Sequence, residues 1–141
     1  EQTGWDWFAV HLSDGRDLML YFLRRKDGTL EETSSGTLIE KNGRARHLAI
    51  GDIKWEVLDC WTSPLSKGRY PNKWLIKLPS VNIDLRLATM IADQELKTAG
   101  STGIVYYEGA IGGGGTSLGK PVTCEGYAEM TGYAGEIGGV F

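Results

Sequence analysis

Trp5-Asp6-Trp7-Phe8-Ala9-Val10-His11-Leu12-Ser13-Asp14-Gly15-Arg16-Asp17-Leu18-Met19-Leu20-Tyr21-Phe22 decides the fold. Its first half alternates, with Trp5, Trp7, Ala9 and His11 on one face and Asp6, Phe8, Val10 and Leu12 on the other, which is the period of a strand. Asp14-Gly15 then supplies the positive φ that a tight hairpin requires. Leu18 to Leu23 is apolar on both faces, so this second strand must be covered on both sides. A curved sheet does that with an interior on one side and further protein on the other. Two tryptophans and a histidine on one face make the hairpin a candidate ligand-facing wall; the alternative is that the tryptophans fill core and His11 sits at a rim.

The same pattern continues outward. Lys26-Asp27-Gly28-Thr29 and Lys41-Asn42-Gly43-Arg44 read as turns, with short strands over 37–40, 46–50 and 53–61. Tyr70-Pro71 opens a strand with Trp74, Ile76 and Leu78 on one face, and a strand tolerates proline at its start. Ile83, Leu85 and Leu87 share a face of the next. Residues 90–99 lack an apolar stripe and read as a loop with at most one helical turn. A strand over 103–110, a glycine-rich loop over 112–119 and a long strand over 122–133 complete the chain. Short strands without a long helix predict an all-β fold, and about eight to ten of them suit an antiparallel lipocalin-like (calycin-type) barrel with a ligand-sized interior.

A length of 141 residues is that of one domain. A net charge of -3 gives no electrostatic reason to expect nucleic acid or an anionic membrane as partner. No apolar run approaches the roughly 18 residues of a transmembrane helix. The opening Glu1-Gln2-Thr3-Gly4 has neither an initiator methionine nor a signal peptide, so the chain is expected to derive from something longer. Cys60 and Cys124 belong to no CxxC pattern, which disfavours thiolate zinc; they read as two separate thiols or one disulfide.

Several chemistries drop out. Gly114 to Lys120 satisfies G-x-x-x-x-G-K, but Pro121 stands where a phosphate loop needs Ser or Thr and a helix. His11 and His47 lie on different hairpins without metal-ligand spacing, so no metal is expected. There is no G-x-S-x-G elbow and no dinucleotide fingerprint. What remains is aromatic and carboxylate: Trp5, Trp7, Trp55, Trp61, Trp74, Tyr106, Tyr107, Tyr127 and Tyr133, with Asp6, Glu108 and Glu129 among them. Aromatics suit a greasy ligand, and their π faces can stabilise a developing carbocation. A carboxylic acid kept protonated by apolar surroundings could donate the proton that creates it. The alternative is that these carboxylates are outward strand residues in water.

Several blocks together resemble one family. They are Gly4-Trp5-Asp6-Trp7-Phe8, Asp14-Gly15-Arg16-Asp17-Leu18-Met19-Leu20-Tyr21, Trp61-Thr62-Ser63-Pro64 with Tyr70-Pro71 and Trp74, Asp93-Gln94-Glu95-Leu96, Ser101 to Ala110, and Gly126-Tyr127-Ala128-Glu129-Met130-Thr131-Gly132-Tyr133. The chain is similar, from Gly4 to about Tyr133, to the lipocalin-like family of carotenoid 1,2-hydratases and AttH proteins. The resemblance implies a single barrel, 1–141, that is the second of two, with a preceding lipocalin-like domain as its partner. It implies a hydrophobic ligand such as an isoprenoid or lipid, no cofactor, and export to the periplasm or beyond. In the hydratase branch it implies addition of water across a double bond. Asp6 or Glu108 would then be the acid, Trp5, Trp7 and Tyr107 the cage, His11 a base for water, and Trp74 a further ligand contact. The upstream Asp-(His or Arg)-Glu-Trp block of such proteins is absent here, which leaves three expectations. A binding domain would have a dry apolar interior, a hydratase a buried acid of raised pKa, and a docking module a filled interior with an apolar patch outside.

Overall fold

The computed structural model describes residues 2–98, 100 and 103–135. Ten strands occur in chain order: β1 (Gln2–Leu12), β2 (Asp17–Arg25), β3 (Ser35–Ile39), β4 (Ala45–Ala49), β5 (Lys54–Thr62), β6 (Arg69–Leu78), β7 (Ile83–Thr89), β8 (Glu95–Lys97), β9 (Val105–Ser117) and β10 (Lys120–Thr131). They form one antiparallel sheet in the order β4-β3-β2-β1-β10-β9-β7-β6-β5, with β8 added to β9. The sheet curls into a lipocalin-like half-barrel, and a 3-10 turn at Ile50–Asp52 links its two edge strands, β4 and β5. The expected turns are present: Gly15, Gly28 and Gly43 have φ of 89°, 83° and 86°.

The alternation of β1 resolves in one direction. Asp6, Phe8, Val10 and Leu12 face the interior and are buried, as are Leu18, Leu20 and Phe22 of β2. Tyr70, Trp74, Ile76 and Leu78 of β6 and Ile83, Leu85 and Leu87 of β7 close the other side. Phe8 meets Trp74 edge-on at 5.2 Å between ring centroids, and Trp55 of the edge strand reaches Phe22 at 4.6 Å. These contacts fill the curl with side chains. Among the described residues, 23 buried apolar ones form one cluster, which is what binds the edge strands to the centre of the sheet.

Two expectations need correction. Residues 112–116 are not a loop but lie inside β9, which pairs with β7 on one side and β10 on the other. Glycine here serves close approach rather than flexibility. A Cβ at Gly113 would stand 1.9 Å from the Arg86 carbonyl oxygen, so the strands can pair at this curvature only without it. The turn shrinks to Leu118-Gly119. Residues 90–99 hold the short strand β8, which pairs Glu95 to Lys97 with Tyr107 to Val105. Gln94 fixes it there. Its carboxamide accepts from the Ala110 amide at 2.8 Å and donates to the Tyr107 hydroxyl at 3.1 Å, links that period-based reading cannot detect. Cys60 and Cys124 are both free thiols.

Candidate functional site

The sheet divides the sequence-predicted residues between its two faces. Asp6, Trp74 and Tyr107 are inside; Trp5, Trp7, His11 and Glu108 are outside. Asp6 therefore does not share a face with the tryptophans that flank it.

Inside, Asp6 is fully buried. Its Oδ2 accepts from the Arg24 Nε at 3.0 Å and from the Tyr133 hydroxyl at 3.0 Å, while Oδ1 has no protein partner. Arg24 lies over the Tyr133 ring, 3.8 Å from its centroid, and also donates to the Thr131 carbonyl. Burial is the largest influence on Asp6 and lifts its pKa to about 6; the Arg24 charge and the Tyr133 and Arg24 hydrogen bonds pull the other way and do not prevail. Tyr133 is raised in turn, by burial first and then by the charge of Asp6. Arg24 was legible as an inward residue because it continues the Leu18-Leu20-Phe22 alternation, yet nothing local names its partner.

Aromatic rings continue from this ion pair. Tyr133 packs on Tyr70 at 5.6 Å, Tyr70 on Tyr107 at 5.3 Å, and Trp61 stacks on Tyr70 at 6.2 Å. Tyr70, Asn72 and Trp74 occupy alternate positions on β6, and each carries a buried polar atom with no hydrogen-bond partner within 3.5 Å. Glu95 nevertheless influences Tyr70, whose pKa is raised by burial and by that carboxylate. Glu95 accepts from Ser63 at 2.7 Å and Ser66 at 2.5 Å, and these bonds outweigh the opposing effect of its own burial, so its pKa falls. That pairing ties β8 to the Ser63–Gly68 turn. The Tyr107 hydroxyl donates to the Ile91 carbonyl at 2.8 Å, a structural bond that holds the same region.

Outside, β2, β1, β10 and β9 set their residues in rows. Tyr21, Trp7, Glu129 and Glu108 make one row, and Met19, Ala9, Tyr127 and Ala110 the next. The Trp5 indole donates to Glu129 at 2.6 Å. Glu108 and Glu129 are direct cross-strand partners, a like-charge pairing that costs stability unless something compensates it. Tyr106 and Tyr127 are raised by slight burial and then by the charge of Glu108. Tyr127 is 41% exposed, and Trp5, Trp7, Tyr21 and Met19 are all part-exposed. His11 stands apart on an exposed row, its Nδ1 2.7 Å from Asp17 Oδ1. Burial pushes the Cys124 thiol up to about 11, which disfavours its thiolate form. Among the described residues no group of three or more His, Cys, Asp or Glu could hold a metal ion, and no helix is long and apolar enough to cross a membrane.

The family model described as AttH-like matches residues 1–133. Two solved structures share the fold. A candidate AttH from Nitrosomonas europaea, solved at 2.00 Å, is 30% identical with a TM-score of 0.80; the match covers 94% of this chain and 39% of that one. Kievitone hydratase from Nectria haematococca is 22% identical with a TM-score of 0.75, covering 95% of this chain and 40% of that one. The chain thus spans about two fifths of the length of either relative. A search of curated proteins finds no match.

Proposed function

Since this chain belongs to the AttH-like family, we propose that it is a lipocalin-like domain that binds a hydrophobic small molecule, an isoprenoid or lipid, against the outer face of β2, β1, β10 and β9. The distribution of aromatic residues carries this reading. The interior is occupied by Phe8, Phe22, Tyr70, Trp74 and Tyr107, which have essentially no exposed surface. Trp5, Trp7, Tyr21, Tyr106 and Tyr127 instead keep open surface on a sheet face where an isolated domain would be polar. The ligand wall expected from the Trp5-Trp7 alternation is then retained, but outside the curl. The filled interior and the open aromatic face are also the features expected of a docking module, so a preceding lipocalin-like domain is the proposed partner on this face, in keeping with the length of the solved relatives. Docked here, it would turn an open face into a crevice. The proposed compartment is the periplasm or the exterior, and no cofactor takes part.

A second reading, a hydro-lyase, is favoured by Asp6. A fully buried carboxyl group with its pKa near 6 and one unpartnered oxygen suits a general acid. Protonation of one alkene carbon by the acid would leave a cation on the other, to be captured by water whose surplus proton returns to a carboxylate. Glu108 and His11 stand across the sheet from Asp6 and would serve as acid and base only for a ligand bound on the outer face. In this reading the hydration chemistry in the name of kievitone hydratase extends to this chain.

Titration with neurosporene, followed by tryptophan fluorescence, tests the binding proposal. Saturable quenching is expected, with affinity at least about tenfold weaker in Trp7→Ala. Absence of quenching, or quenching indifferent to Trp7→Ala, sinks it. Hydrated product in the same mixture, lost in Asp6→Asn, would select the hydro-lyase.

A further inference from the structure

A cavity of about 570 Å³ lies on the outer side of the sheet, lined by His11, Glu125, Met90, Ala88, Gly112 and Thr123 among others. It is not part of the aromatic face. The cross-strand row Asp17, His11, Glu125, Gly112, Ala88 runs beneath it, and the row of Ala9 and Tyr127 separates it from Trp7. From this geometry we infer a second binding site, for a small planar organic cation of the amidine class.

The chemistry follows from what the walls offer. His11 Nδ1 lies 2.7 Å from Asp17 Oδ1, and this contact holds the imidazole at the cavity wall. Glu125, its direct cross-strand neighbour, places a carboxylate in the same wall and forms no ion pair among the described residues. The two oxygens of that carboxylate match a ligand that presents two donors in one plane, and its charge favours positive charge on the ligand. Met90 and Ala88 supply apolar contact for the rest of the molecule, and Met90 is 68% exposed unless something covers it.

The floor argues for a flat ligand. Gly113 must be glycine because the neighbouring strand allows nothing else, but Gly112 need not be. A Cβ at Gly112 would meet only the Cys124 carbonyl at 3.5 Å and the Met90 side chain beyond it, ordinary contacts, and its φ is not positive. Sheet packing therefore does not account for glycine there. Its absent side chain is what opens the cavity onto bare backbone, against which a planar group can lie.

Benzamidine is the probe, with neutral benzamide as its control. The chain has two histidines, so the ring proton signals of His11 can be read against those of His47 on β4. Benzamidine should shift His11 saturably and leave His47 unmoved, with benzamide at least about tenfold weaker. Glu125→Gln should weaken benzamidine by a similar factor, and Gly112→Val should abolish the response while thermal unfolding stays cooperative. Equal binding of benzamide, a parallel shift of both histidines, no shift at all, or full binding by Gly112→Val would each overturn the site. Neurosporene quenching with Trp7→Ala reads the aromatic rows around Trp7, not the His11 row, so either proposal can fail while the other stands.

Discussion

Raising the pH from about 4 to 7 should make this protein less stable by about 2 kcal/mol through Asp6 alone, and Asp6→Asn should remove that slope. The sign comes from burial. The folded-state pKa is lifted from 3.8 to about 6, so between those values the folded chain holds a proton that the unfolded chain has released. The contribution of this group is complete below the unfolded value and is lost as the pH rises through the folded one. Asparagine keeps an acceptor for Arg24 and Tyr133 and does not titrate, so its own cost should stay within about 1 kcal/mol. Asp6→Ala differs. It strands the Arg24 Nε and the Tyr133 hydroxyl against the interior, and a broken buried pair of this kind costs about 3–5 kcal/mol. Urea midpoints at three pH values for the three proteins decide the matter. An unchanged slope in Asp6→Asn would mean that another group carries the pH dependence.

The second large effect should separate two adjacent glycines. Gly113→Ala forces a methyl group to within 1.9 Å of the Arg86 carbonyl oxygen, an atom that backbone pairing holds in place. Relief requires β7 and β9 to part, and the expected loss is about 3 kcal/mol or more. Gly112→Ala meets nothing closer than 3.5 Å. It also narrows the unfolded ensemble, so it should be neutral or stabilising by up to about 1 kcal/mol. Thermal midpoints of the two variants give the comparison directly. Similar losses in both would show that the tract is glycine for flexibility, as a loop would be, and not for the approach of its neighbours.

The amino-acid sequence alone determined the all-β class, the strand alternations and the hairpin turns at Gly15, Gly28 and Gly43, because these depend on residues close together in the chain. It also carried the family, whose blocks span most of the length. Alternation tells which residues share a face but not which face is inside, so Trp5 and Trp7 could be grouped correctly and still be assigned to the wrong side of the sheet. That choice is made by the curl, which turns Phe8 toward Trp74 from a strand far along the chain. Long-range pairing likewise decided that the glycine tract is a strand, since the carbonyls that exclude a side chain at Gly113 belong to β7. The partners of Asp6 are of the same kind: Tyr133 lies 127 residues away, and only the closing of β10 onto β1 brings its hydroxyl to the carboxylate. Local chemistry is written in the order of the residues, whereas burial, and the raised pKa that follows from it, exists only once distant strands have met.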